Sequence, residues 1–101
     1  MLILERIVHQ IDPDKWPEVM IMEAEFDQVE KPFGFTEKKR FRTLIAEDGV
    51  NTLVIERNWP SMAALEAAYD KASADPGWQA IGMKWSTVIK DTRYELFLVL
   101  Q

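Results

Sequence analysis

The side chains of this chain that could do chemistry are few, and most sit on or beside an apolar periodicity. His9 is the single histidine, near the end of a strand-like run. A neutral imidazole there could act as a general base or hydrogen-bond a ligand. A strand-end histidine bonded to backbone or water is the plainer reading, because no partner for it can be identified. Arg40, Arg42, Glu56, Arg57, Arg93 and Glu95 are charges inside strand-like segments. They could clamp a carboxylate or enolate. The plainer reading is that they pair with one another, since opposite charges are available at matching positions. Arg57 is the best functional candidate among them, with Arg42 next, as a stabiliser of negative charge. Trp16, Trp59, Trp78 and Trp85 supply four indoles. Most fit core positions at helical spacing, but Trp59 and Trp85 are candidate walls for a cleft that stacks a planar ligand. Tyr69 and Tyr94 are candidate proton donors on apolar periodicities, with core packing as the competing role.

Other chemistries find little support. There is no cysteine, hence no disulfide, thiolate nucleophile or thiolate metal site. Glu23, Asp27 and Glu30 follow the spacing of a solvated helix face rather than of a metal site. No glycine-rich phosphate loop occurs, and Ser61, Ser73 and Ser86 lack a Gly-x-Ser-x-Gly setting. The expected site therefore uses neither a metal nor an organic cofactor.

The elements that must position these residues fit one domain over residues 1–101, since this length leaves no room for a second core. Apolar residues make up 48%, with only four glycines, which is a globular composition. The net charge of −5 argues against nucleic acid or an anionic membrane as partner. The opening residues turn charged too soon for a signal peptide, and no apolar run approaches membrane-spanning length. A cytoplasmic location is the expectation.

Leu2–Ile11 reads as a central strand with apolar residues on both faces. Asp12-Pro13-Asp14 stops it and starts a helix. Either aspartate could be the cap, and Pro17 favours Asp14 by falling in the first turn. Trp16, Val19, Met22, Phe26 and Val29 form one helical stripe, and Pro32 and Gly34 close the helix. A charged hairpin follows. A two-residue Asp48-Gly49 loop would set Arg40 against Arg57. A three-residue loop with Gly49 left-handed would set Arg40 against Glu56, and is preferred. It collects Phe41, Ile45, Leu53 and Ile55 on one face, with Arg40, Arg42, Leu44, Val54 and Glu56 on the other. Ser61 caps a helix with a Met62, Leu65, Tyr69, Ala72 stripe. Asp75-Pro76 restarts it, and Trp78, Ile81, Trp85 and Val88 continue it. Arg93–Leu100 is the last strand.

The order β-α-β-β-α-β, with right-handed crossovers, gives an α+β ferredoxin-like domain: a four-stranded antiparallel sheet with helices on one face. The other face, with Leu96, Leu98 and Leu100 or Phe97 and Val99 as candidates, would expose apolar surface of a kind rare on monomers.

Several segments carry a resemblance across essentially the whole chain. These are Val54-Ile55-Glu56-Arg57-Asn58-Trp59, Ser61-Met62-Ala63-Ala64-Leu65, Ala74-Asp75-Pro76-Gly77-Trp78 and Tyr94-Glu95-Leu96. In them the chain resembles the dimeric α/β-barrel superfamily, and within it the NIPSNAP-type proteins. The resemblance implies a homodimer joined by sheet-to-sheet packing and a ligand-sized cleft between helices and sheet. Members of the superfamily include cofactor-independent monooxygenases, small isomerases and haem-degrading enzymes. The last place a histidine in the second helical region, and Met62–Lys90 contains none. The expected function is binding of a small apolar or aromatic molecule bearing an oxygen anion. Its turnover would use His9 as base and Arg57 or Arg42 as anion stabiliser, with Tyr69, Trp59 and Trp85 in the cleft. The alternative is a non-enzymatic homodimeric interaction module.

Overall fold

A computed structural model describes residues 1–100. Strand β1 (Ile3–Ile11) is followed by a 3-10 turn at Pro13–Lys15 and helix α1 (Trp16–Glu30). Next come a short strand β2 (Lys39–Arg42) and β3 (Thr52–Trp59), then helices α2 (Met62–Ser73) and α3 (Pro76–Trp85), and finally β4 (Ile89–Leu98). The sheet order is β2-β3-β1-β4, with every pair antiparallel. This is the ferredoxin-like α+β arrangement, with the second crossing made of two helices.

Local chemistry sets most boundaries. Pro17 lies in the first turn of α1, but Asp14 does not cap that helix. It lies inside the 3-10 turn that Asp12 and Pro13 begin, because the fixed φ of Pro13 starts a turn at once. Gly34 ends the segment after α1 with φ 84°, a conformation costly for other residues. The Ser61 hydroxyl accepts from the Ala64 amide, and the Asp75 carboxylate accepts from the Trp78 amide at 2.9 Å. The two caps explain why the second crossing is two helices rather than one. β4 begins earlier than the sequence suggests, since Ile89 already pairs with Ile11 beyond an irregularity at Gln10.

The hairpin register differs from the expected one. Arg40 lies opposite Ile55 and Arg42 opposite Leu53, so both arginines share the helix-facing side with Leu53, Ile55 and Arg57. Phe41 moves to the open face beside Val54. Residues 43–51 form a long connection rather than a tight loop, although Gly49 is left-handed (φ 85°) as expected. The physical reason is the partner set. α1 presents Glu23 and Asp27 to Arg40, at 2.8 and 2.6 Å, and Trp16 to Arg42, 4.2 Å from the ring centre. Those contacts outweigh a cross-strand Arg40–Glu56 pair. Glu56 instead pairs with Arg6 on the open face at 2.8 Å.

The helix-facing core is divided. One apolar cluster contains Ile11, Val19, Met22, Leu53, Ile55, Ile81 and Val88, flanked by Trp16, Phe26, Val29 and Trp85. The other contains Ile3, Trp59, Leu65 and Ala68, flanked by Phe35 and Tyr69. Polar side chains separate them. The helices leave β4 largely uncovered: Tyr94, Leu96 and Leu98 point to the helix side yet remain exposed, and Phe97 is exposed on the open face. Asp48, in the long connection, reaches across the open face to Arg93 with two contacts of 3.1 Å. No helix among the described residues is long and apolar enough to cross a membrane.

Replacing Asp75 by alanine removes the cap of α3 and should lower unfolding free energy by about 1 kcal/mol. A urea titration of the variant against wild type measures this directly. An unchanged midpoint would mean that the cap does not hold the junction between α2 and α3.

Candidate functional site

The site grows from one buried carboxylate. Glu5 lies mid-way along β1 on the helix-facing side and is 1% exposed. Its Oε1 accepts from Trp59 Nε1 at 3.0 Å. Its Oε2 accepts from both Tyr69 and Tyr94 hydroxyls. Arg57, directly opposite on β3, brings Nη1 to 3.8 Å from Oε1. Four donors from three other elements thus converge on one side chain, which is how a carboxylate can be buried at all.

From Arg57 the charges run on in sequence. Its Nε donates to the Thr36 carbonyl at 3.0 Å and its Nη2 to Glu30 at 3.2 Å. Lys38 Nζ lies 3.1 Å from Glu30 and 3.4 Å from Glu23, and Glu23 is shared with Arg40. The structure corrects the solvated-face reading of α1: Glu23 and Glu30 are buried, while Asp27 is half-exposed against Arg40. The helix is polar on two sides because a second side meets the cations of β2 and β3.

Beside this chain of charges lies a cavity of about 260 Å³ between the helices and the sheet. Its apolar walls are Ile7, Phe26, Ile55 and Trp78, and its polar groups are Tyr69, Tyr94 and Thr92. Glu23, Glu30, Lys38 and Arg57 close its charged side. Trp78 Nε1 is buried and has no hydrogen-bond partner among the described residues. Burial and the Glu5 charge push the Tyr69 phenol far above its ordinary range, and burial with the hydrogen bond to Glu5 does the same for Tyr94. Both phenols stay protonated at neutral pH. Among the described residues no cluster of histidine, cysteine, aspartate and glutamate is arranged to hold a metal ion.

The residues singled out in the sequence are distributed around this cavity rather than gathered in it. Arg57 and Tyr69 line it. His9 lies opposite Leu53, four residues along β1 from Glu5, roughly 13 Å at ~3.3 Å per residue. His9 and Arg57 are therefore not brought together. The His9 ring packs edge-on to Trp85, 4.9 Å between centres, and its Nδ1 is 2.8 Å from the Thr92 hydroxyl. Burial, helped by the positive charge of Lys38, pushes the imidazole down to about 4. Trp59 is fully buried behind Glu5, and Trp85 packs on Phe26. The indole that lines the cavity is Trp78. Arg42 lies on a separate apolar groove with Trp16, Met20 and Phe41. Sequence reasoning missed Glu5, Glu30, Lys38 and Thr92. Glu5 carried one usable signal: a charge on an otherwise apolar strand face, which is tolerated in a central strand only when paired.

No protein-family model and no curated protein matches the chain. Solved structures do. A NIPSNAP family protein from Agrobacterium tumefaciens is 20% identical, with TM-score 0.82 over 97% of this chain and 92% of its own. An uncharacterized NIPSNAP domain protein from Burkholderia xenovorans is 17% identical, with TM-score 0.82 over 99% and 95%. An antibiotic biosynthesis monooxygenase is 16% identical, with TM-score 0.71 over the full length of both chains. At these identities what is shared is the fold. The chain has the ferredoxin-like fold of NIPSNAP family proteins.

The depressed histidine makes stability pH-dependent. Because the folded value of about 4 lies below the ordinary ~6.5, the unfolded chain binds more protons between the two. The contribution is fully present above pH ~6.5 and is lost as pH falls through ~4, up to about 3 kcal/mol. Urea titrations across that range should show a shallower loss for His9→Gln than for wild type. Parallel curves would mean that His9 is not held neutral by the fold.

Proposed function

We propose that this chain binds a small, planar, largely apolar molecule in the cavity between the helices and the sheet, as one half of a homodimer. The carrying observation is the cavity itself. Its walls are Ile7, Phe26, Ile55 and Trp78, and it has hydroxyl groups from Tyr69, Tyr94 and Thr92 on its polar side. Concave, mostly apolar sites with a few convergent polar groups are the usual form of small-molecule sites. Tyr69 contacts the ligand, and Arg57 holds the charged wall in place. Trp59 fixes Glu5 from behind, and Trp85 fixes His9, which acts through Thr92. Arg42 frames the neighbouring groove and takes no part. Turnover without a cofactor, as an isomerase or monooxygenase, is the second reading. It is favoured by the paired tyrosines on Glu5, a ready path for a proton between the cavity and a buried carboxylate.

The dimer reading rests on the open face of the sheet. Phe41, Val54 and Phe97 lie there among charges already paired, Arg6 with Glu56 and Arg93 with Glu95, while Val8 on the same side is already buried within the chain. Arg6 also lies 4.9 Å from the centre of the Phe97 ring. Lys39 and Asp91, which carry no ion-pair partner among the described residues, lie on the two edge strands, so the centre of this face can meet its twin without burying an unpaired charge.

Two measurements test these readings. Calorimetric titration with indole and naphthalene derivatives should give one site per chain, and Thr92→Trp, which fills the cavity mouth from an exposed strand, should weaken it about tenfold or more. Failure of every probe would leave the interaction-module alternative. Sedimentation at micromolar concentration should give twice the 11.8 kDa chain mass, and Phe97→Glu should return the chain mass with the fold intact. A wild-type protein that sediments as a single chain would end the dimer reading.

A further inference from the structure

The charges around the cavity select the charge of its occupant. Glu23 and Glu30 face it, and so do Lys38 and Arg57. Each cation is already held: Lys38 by both glutamates, Arg57 by Glu30 and the Thr36 carbonyl. Behind the tyrosines, Glu5 adds one more negative charge, with Arg57 3.8 Å away. An incoming carboxylate would find no cation free to receive it and would have to take one from a buried glutamate, which leaves that glutamate unpaired. An incoming cation would meet Lys38, whose Nζ already sits 5.5 Å from the centre of the Phe26 ring, and would compete with Lys38, Arg40 and Arg57 for Glu23 and Glu30, while both oxygens of Glu5 are taken by Trp59 and the tyrosines.

The hydrogen-bonding sense follows from the same contacts. Tyr69 and Tyr94 both give their protons to Glu5 Oε2. What their oxygens can still offer is a lone pair, so they act toward a ligand as acceptors. Trp78 meets the cavity with its apolar ring, while its Nε1 is buried away from it. A hydroxyl group on a ligand can donate to either tyrosine oxygen. The His9 imidazole at the Thr92 end adds no charge at neutral pH.

We infer that the cavity takes an uncharged planar molecule carrying a hydrogen-bond donor such as a phenolic hydroxyl, and that it discriminates against the anion of the same shape. This rests on the ligand-binding reading above and reverses the sign expected from the number of arginines in the strands. Calorimetry at pH 7 with 2-naphthol, 2-naphthoate, 2-naphthylmethylammonium and naphthalene tests it on the wild-type protein. Expected is 2-naphthol about tenfold tighter than either ion, with naphthalene weaker than 2-naphthol and Thr92→Trp abolishing the signal. Naphthoate or the ammonium compound binding as tightly as 2-naphthol overturns the inference and leaves the pocket standing. Naphthalene equal to 2-naphthol overturns the donor requirement. Silence from all four probes, or 2-naphthol binding that survives Thr92→Trp, removes the pocket reading and this one with it. Glu30→Gln should raise naphthoate affinity relative to 2-naphthol by leaving Lys38 and Arg57 in excess. Should that variant fail to fold, the wild-type comparison decides alone.

Discussion

Everything on the helix side of this sheet is arranged around the need to bury charge. Glu5 and Arg57 face each other at the centre of the two inner strands, where both are buried and an unpaired ion would cost several kcal/mol. Neither suffices for the other at 3.8 Å. Glu5 draws in Trp59, Tyr69 and Tyr94; Arg57 draws in Glu30 and the Thr36 carbonyl; Glu30 draws in Lys38. The added partners come from α1, α2, β3, β4 and the segment leading into β2. The network therefore fixes the relative placement of α1, α2 and all four strands, which apolar contacts alone would leave less sharply defined.

The same arrangement explains why a cavity exists. Two apolar clusters occupy the two ends of the helix–sheet interface. Between them the side chains are committed to ion pairs and cannot fold inward to close the space. Ile7, Phe26, Ile55 and Trp78 face it from the apolar side. A polar layer that must keep its geometry and apolar neighbours that must keep theirs leave an unfilled volume where they meet. On this view the site is a by-product of packing incompatible surfaces, and its chemistry is inherited from the layer that made it.

Element order, the caps at Ser61 and Asp75, the closing role of Gly34 and the left-handed Gly49 were legible in the sequence because each is decided within a few residues. The division of α1 was not. Glu23 and Glu30 recur at the spacing of a solvated face, and nothing local distinguishes carboxylates facing water from carboxylates facing Lys38, Arg40 and Arg57 across the interface. The hairpin register failed for the same reason. Judged only by cross-strand pairs, Arg40 belongs with Glu56; judged with α1 present, it belongs with Glu23 and Asp27. Of the candidate site, Arg57 and Tyr69 could be found from their types and positions. Glu5, Thr92 and Trp78 required knowledge of which strands are neighbours.

The position of β1 has a consequence for how the molecule is made. β1 precedes the other strands in the chain yet is an inner strand of the sheet, and Ile3 pairs with Leu98 on one side and Trp59 on the other. Neither neighbour exists until synthesis has passed β3 and β4. Until then Glu5 has none of the partners that make its burial tolerable, so the nascent chain cannot lock in its sheet piece by piece. Formation of the native sheet is therefore a late, concerted event, and a growing chain of this protein depends on staying soluble long enough for its last strand to arrive.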